Sequence, residues 1–285
     1  LPDESVDLCY IDPPFNSNRN YEVFWGDVQE KRAFNDRFGD AQEYIKYMRP
    51  RVNEIYRVLK KTGSFYYHCD WHASHYVKIM LDEIFGFGNF VEEIIWKRQT
   101  AKKGSQFEKR SYGASTDTIF FYSKSNEYFF KIPKVKLDSK EMNEKFNRID
   151  ENGKRFRTDR ITLPSSMKRI NLTYEYKGFT PENGWMVNKD KLEQMDKEGR
   201  LYWTEKGTPY RKYFMDEYEG REVTNLWDDI PFASGGEHMG YPTQKPIALM
   251  ERIINASSNK GDVVLDAFCG CGTTLVAAQK LNRKW

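Results

Sequence analysis

Hydrophobic positions in this chain follow two alternating rhythms. Val6 to Ile11 is an apolar run broken only by Asp7, which predicts a buried strand that stops at Asp12. Over residues 41–60, Tyr44, Ile45, Met48, Val52, Ile55, Tyr56 and Leu59 recur at helical spacing, with Pro50 interrupting the pattern and Thr62-Gly63 closing it. Ser64 to His68 reads as a second buried strand. A helix over 73–85 follows, with Tyr76, Val77, Met80, Leu81, Ile84 and Phe85 on one face and Gly86 as its stop. Phe90–Trp96 and Thr118–Tyr122 read as strands with no long helix between them, hence as an antiparallel pair at a sheet edge. Near the end, Pro246–Ser257 predicts a helix, Val263–Ala267 a very apolar strand, and Thr273–Leu281 a helix.

Strands alternating with helices predict a mostly parallel sheet covered on both faces. Residues 16–40 and 97–115 are polar and read as loops. The stretch 131–232 breaks the rhythm, being rich in Lys, Glu and Tyr, and reads as an inserted domain between segments 1–130 and 233–285.

Composition narrows the class. A chain of 285 residues with 39% hydrophobic and 31% charged residues can bury a core beneath a polar surface. No run approaches the ~18 apolar residues of a membrane span, and Leu1-Pro2-Asp3-Glu4 has no signal-peptide character. The chain opens without Met, which reads as a fragment or a trimmed chain. Cys9, Cys69, Cys269 and Cys271 lie in or beside strand-like runs rather than in a disulfide framework, pointing to a reducing cytosol. Cys269-Gly270-Cys271 lacks the second pair that a zinc site wants. Net charge is only +3, but two basic clusters are more telling. Lys97, Arg98, Lys102, Lys103, Lys109 and Arg110 face a single acid, Glu108; Lys154, Arg155, Arg157, Arg160, Lys168 and Arg169 face only Asp159. Such clusters flanking one insertion are candidates for phosphate contact.

The candidate chemistry begins at Tyr10-Ile11-Asp12-Pro13-Pro14-Phe15. Two prolines after a strand remove two N–H donors, leaving a carboxylate, undisturbed carbonyls and an aromatic ring. That set can stack a planar ring and accept hydrogen bonds from an exocyclic amine. In isolation, an ordinary Pro-Pro turn accounts for it equally well. Asp266-Ala267-Phe268-Cys269-Gly270-Cys271-Gly272-Thr273-Thr274 is a strand, a glycine turn and a helix start, a place where a ligand can approach backbone N–H groups. His68-Cys69-Asp70-Trp71-His72-Ala73-Ser74-His75 reads as a strand end beside a crevice, with Asp70 capping the next helix.

Asp-Pro-Pro-Phe first, then a basic insertion, then Tyr241-Pro242-Thr243-Gln244-Lys245-Pro246, then the Gly-Cys-Gly-Thr-Thr turn: this order resembles the amino-methyltransferases of DNA in their circularly permuted beta arrangement, over nearly the whole chain. The resemblance implies a Rossmann-like α/β sheet dependent on S-adenosylmethionine, with an inserted target-recognition domain. It implies methyl transfer to N6 of a flipped adenine in double-stranded DNA. Asp12, Pro13, Pro14 and Phe15 would form the catalytic pocket. Asp266, Phe268, Gly270, Gly272, Thr273, Thr274, Thr243, Lys245 and Pro246 would hold the cofactor. Lys97, Arg98, Lys102, Lys103, Arg110, Lys154, Arg155 and Arg157 would contact DNA. No catalytic metal is implied. Ala267 and Cys271 stand where relatives more often have Pro and Ser.

The resemblance also carries alternatives. N4 of cytosine poses the same chemical problem, although those enzymes more often have Ser at the position of Asp12, and a catalytically idle DNA-binding subunit is a reading of another class. A restriction endonuclease is an expected partner, in a prokaryotic or phage-type, nucleoid-associated setting. Family segments expected before Leu1 and after Trp285 predict a truncated cofactor half, weak cofactor binding, and an exposed apolar sheet edge suited to a homodimer.

Overall fold

In the computed structural model, residues 1–15, 38–99, 110, 112–241 and 243–285 are described in full, and the backbone alone at 19–25 and 30–36. The chain divides into two compact units, Leu1–Pro133 with Glu222–Trp285, and Lys134–Arg221.

The first unit begins with β1 (Val6–Ile11), β2 (Arg19–Trp25), β3 (Glu30–Asp36), α1 (Ala41–Val58), β4 (Leu59–Cys69), α2 (Ser74–Phe85), β5 (Phe90–Lys97) and β6 (Thr116–Ser123). The second unit supplies β7 (Lys134–Val135), α3 (Ser139–Lys145), β8 (Arg148–Ile149), β9 (Arg155–Arg160), α4 (Lys189–Lys197), β10 (Leu201–Trp203) and β11 (Pro209–Phe214), and the junction carries β12 (Arg221–Glu222). The chain then returns to the first unit with β13 (Leu226–Trp227), α5 (Ile247–Ser257), β14 (Val264–Leu265) and α6 (Thr273–Lys280).

Six strands form the main sheet in the order β13-β5-β6-β4-β1-β14. β1 runs parallel to β4 and β14, and β13 runs parallel to β5; only β6 is reversed, antiparallel to both β4 and β5. The sheet is therefore mostly parallel, and the expected antiparallel pair is present. It does not sit at the edge, because Leu226–Trp227 pairs outside β5. A two-residue strand carries too little pattern to be read from sequence. It also moves residues 222–232 out of the expected insertion.

Alternation along the strands sends side chains to two cores. Cys9, Ile11, Phe65, Tyr67 and Cys69 pack with Tyr44, Met48, Val52, Val77 and Leu81 of α1 and α2. Leu8, Tyr10, Tyr66, Trp96 and Phe121 pack with Leu249, Met250, Ile253, Ile254, Ala277 and Ala278 of α5 and α6. Helices thus cover both faces, as a nearly continuous apolar strand requires. A register shift between Val6 and Leu8 puts Val6 out of step and onto the α1 side.

α1 starts at Asp40, whose carboxylate accepts the Glu43 N–H at 2.9 Å. Pro50 lies inside this helix without ending it. Its cost, about 3 kcal/mol in a helix interior, is offset by the fully buried face of Tyr44, Met48 and Val52. Residues 16–40, read as a loop, contain the antiparallel hairpin β2–β3, in register from Arg19↔Asp36 to Trp25↔Glu30. The alternation of Tyr21, Val23 and Trp25 with Asn20 and Glu22 was its signal.

Within the second unit, β10, β11, β9 and β8 form an antiparallel sheet. Ile161, Trp185, Leu192, Met195 and Leu201 make its small core, and the Trp185 indole N–H donates to the Tyr174 carbonyl at 2.8 Å.

Candidate active site

The carboxyl ends of β1 and β14 meet at a cavity of about 400 Å³ in the first unit. It is lined by Asp12, Pro13, Pro14 and Phe15 from the end of β1, by Thr243, Gln244 and Lys245 before α5, and by Asp266, Phe268, Gly270, Thr273 and Thr274 around the glycine turn. Register explains the convergence: Cys9 pairs with Leu265, so both strands deliver their next residues to the same end of the sheet. Of the expected cofactor residues, Gly272 and Pro246 do not line the cavity and serve the backbone instead. Gly272 takes φ of 87° as the N-cap of α6, and Pro246 is the N-cap of α5. Gly270 also has positive φ, 53°, and a Cβ there would reach within 3.4 Å of the Tyr241 ring.

The turn is braced from inside. One Asp266 oxygen accepts the Phe268 N–H at 2.9 Å, and the other accepts the Thr274 hydroxyl at 2.5 Å. Burial pushes the Asp266 carboxyl up to about 6, against the pull of these two hydrogen bonds and with the charge of Asp12 adding to the rise. The loop before α5 is braced likewise. Gln244 donates to the Glu237 carbonyl at 2.7 Å and accepts the Met239 N–H at 2.8 Å, while the Glu237 carboxylate accepts the Ile247 N–H at 2.5 Å. This holds Lys245, 8% exposed, with its ammonium paired to the Asp12 carboxylate and 5.5 Å from the Phe15 ring centroid. Lys245, expected among the cofactor residues, thus also sits against Asp12 and Phe15. The other oxygen of Asp12 is buried and accepts no hydrogen bond from any described residue.

Behind Asp12 lies a buried group from the stretch read as a strand end beside a crevice. His68, at 0% exposure, has Nδ1 2.8 Å from the Tyr10 hydroxyl and Nε2 3.2 Å from Asp117, whose other oxygen is 2.8 Å from Nε of Arg98. Burial works to raise the Asp117 carboxyl, but the hydrogen bond from His68 and the charges of Arg98 and Lys245 hold it below the usual value. Arg98, expected as a phosphate contact, is half-buried, with its Nε at ion-pair distance from a carboxylate that is 5% exposed. An acid in the apolar run 116–123 was the available signal. Asp70 does not cap α2 with its side chain: it accepts the His72 N–H at 2.9 Å, and α2 has no side-chain cap.

Among the remaining basic candidates, Lys97 is half-buried at the end of β5 and Arg110 is exposed, while Lys102 and Lys103 lie outside the described residues. In the second unit, Lys154 and Arg155 are exposed; Arg157 is half-buried, 3.1 Å from Asp159 and stacked 4.9 Å over the Tyr213 ring.

This arrangement has a distinct chemical capacity. The Asp12 and Asp266 carboxylates can meet cationic groups, the lining hydroxyls and the N–H groups at the start of α6 can meet a carboxylate, and Phe15 and Phe268 offer apolar faces.

The chain is 31% identical over 282 residues to a type II methyltransferase, M.EcaI, of Enterobacter cloacae, covering 98% of this chain and 60% of that protein. It is 26% identical over 313 residues to the StyLTI Mod subunit of a type III restriction-modification enzyme of Salmonella typhimurium, covering 99% and 47%. It is 27% identical over 286 residues to the DNA adenine methyltransferase YhdJ of Escherichia coli, covering 100% and 72%. The chain thus spans about half to three-fifths of the length of the first two relatives. The DNA methylase family model, N6_N4_Mtase, matches residues 6–285, so with nearly every residue aligned, the chain belongs to that family.

Proposed function

We propose that this chain performs methyl transfer from S-adenosylmethionine to the exocyclic N6 of an adenine flipped out of double-stranded DNA. The observation that carries the reading is the Asp12 carboxylate at the end of a parallel strand, with one buried oxygen lacking a donor, beside Phe15 and facing the Gly270 turn across one cavity. The residues suit the cofactor's functional groups: Asp266 for a positive charge, Thr243 and Thr273 hydroxyls for polar ends, and Phe268 for an apolar face. When bound, the cofactor supplies an electrophilic methyl group.

The exocyclic amine is a poor nucleophile because its lone pair is delocalised into the ring, and a duplex hides it, so the base must leave the stack. Phe15 stacks on the extruded ring, worth roughly 1–3 kcal/mol. The Asp12 carboxylate and the Pro13 carbonyl each accept one amine hydrogen. That turns the nitrogen toward tetrahedral geometry and aims its lone pair into the cavity. Positioning and electrostatics do the work, and no enzyme nucleophile is needed. The N6 choice over cytosine N4 rests on Asp, rather than Ser, at position 12. Lys97, Lys102, Lys103, Arg110, Lys154, Arg155 and Arg157 are proposed phosphate contacts. The type III Mod relative supports a restriction subunit as a further partner.

The test is transfer of labelled methyl from S-adenosylmethionine to a mixed-sequence duplex, followed by nucleoside analysis. Label in N6-methyladenine, lost on Asp12→Ala with cofactor binding retained, is expected. Label in cytosine, or wild-type turnover by Asp12→Ala, would overturn the assignment.

A further inference from the structure

His68 is wedged among four groups drawn from neighbouring strands. Tyr10 comes from β1, Trp96 from β5, Asp117 from β6, and Phe15 follows β1. The Phe15 ring stacks on the imidazole at 5.7 Å and 26°, and the Trp96 ring meets it edge-on at 5.7 Å and 85°. Trp96 is itself fixed, donating its indole N–H to the Ile230 carbonyl at 2.8 Å. The imidazole Nδ1 lies 3.9 Å from the Asp12 oxygen that lacks a donor.

The hydrogen-bond pattern assigns a tautomer. Asp117 is a carboxylate and can only accept, so Nε2 carries the proton toward it. Nδ1 is left to accept from Tyr10 at 2.8 Å. Burial and the charges of Asp12, Asp266 and Asp117 push the Tyr10 hydroxyl well up, so it stays a donor. With the proton held on Nε2, nothing on His68 can donate to Asp12. That buried oxygen is left without a donor, an acceptor that an amine hydrogen can satisfy.

We propose that His68 is the positioning residue of the amine-holding site: Asp117, oriented by Arg98, fixes its tautomer so that the imidazole supports Phe15 and leaves the Asp12 oxygen free. This rests on Asp12 being the amine acceptor, as argued above.

The decisive variant is Asp117→Asn. Arg98 faces one oxygen of Asp117 at 2.8 Å, so the asparagine carbonyl turns to Arg98 and its amide NH2 turns to His68. Nε2 must then accept, and the proton moves to Nδ1, between Tyr10 and Asp12. Two measurements follow. Nitrogen-15 NMR of histidine-labelled protein, with four histidines to resolve, is expected to show one buried imidazole as the Nε2–H tautomer in the wild type and the Nδ1–H tautomer in Asp117→Asn. Single-turnover methyl transfer is expected to fall roughly 10–100-fold, less than the ~10⁴ seen where a wrong tautomer stops an imidazole that itself carries the proton. Cofactor affinity should stay within about threefold, because Asp117 does not line the cofactor cavity.

An unchanged tautomer, an unchanged rate, or a rate loss matched by equal loss of cofactor affinity would each overturn the proposal. If Asp117→Asn does not fold, His68→Gln is read by the same rate and affinity criteria, keeping a donor toward Asp117 while losing the Phe15 stack. If the wild type transfers no methyl group and Asp12→Ala binds cofactor as the wild type does, the functional reading fails by itself. If the wild type transfers and Asp117→Asn transfers equally well, only the role of His68 fails.

Discussion

Removing the Lys245 ammonium while keeping its stem, Lys245→Met, tests the electrostatic logic of the site without any substrate. The Lys245 side chain is 9% exposed and Asp12 is 18% exposed, and the second Asp12 oxygen already lacks a donor. The variant therefore leaves a nearly buried carboxylate with no compensating group. Breaking a buried pair from one side costs about 3–5 kcal/mol, and the cavity beside Asp12 admits some water, so a value of about 3 kcal/mol is expected. Asp12→Asn is milder, about 1.5 kcal/mol, because the amide oxygen still accepts from Lys245. In the double variant no charge is stranded, so its cost should fall short of the sum by about 2 kcal/mol. Equilibrium urea unfolding of the four proteins at neutral pH, with unchanged m-values, gives this coupling directly. A coupling below about 0.5 kcal/mol would mean that the two groups do not sense each other, and that the Lys245–Asp12 pair does not brace the empty pocket.

Two further outcomes are expected. With the Asp266 carboxyl near 6, only about one-tenth is ionised at pH 5, so a cationic cofactor should bind roughly tenfold more weakly there than at pH 8; calorimetry at the two values measures it, and a flat profile would sink the idea. The same raised value favours the fold at low pH and loses that contribution as pH passes upward through about 6. Asp266→Asn should therefore resist urea better than the wild type at pH 7.5, with the gain shrinking toward pH 4. Gly270→Ala places a Cβ at φ of 53° and 3.4 Å from Tyr241, which should cost about 1–2 kcal/mol and weaken cofactor binding without changing the site of methylation.

The legible parts of this molecule were those whose pattern is local. β1, α1, α2, β5 and α6 follow from periodicity within ten to twenty residues, and the Pro-Pro and Gly-x-Gly turns announce themselves by residue type. Illegible parts depend on partners far away in the chain. His68 looked like the end of a strand because its meaning comes from Asp117, 49 residues on, and Tyr10, 58 residues back. Lys245 read as a cofactor residue because only the closed fold brings it 233 residues back to Asp12. β13 was missed because two residues show no period, and the 19–36 hairpin because its polar positions outweighed its alternation.

The pairing of β1 with β14 has a consequence during synthesis. Leu8 and Cys9 leave the ribosome 256 residues before their partners Val264 and Leu265 are made. At about 5–20 residues per second, one edge of β1 waits roughly 10–50 s for its neighbour. Throughout that interval Asp12 has no glycine turn opposite it, so the cavity between them cannot close until Leu265 and the turn that follows it have been made. The same delay leaves one edge of an apolar strand unpaired and available to other chains, which makes β1 the natural client of a chaperone.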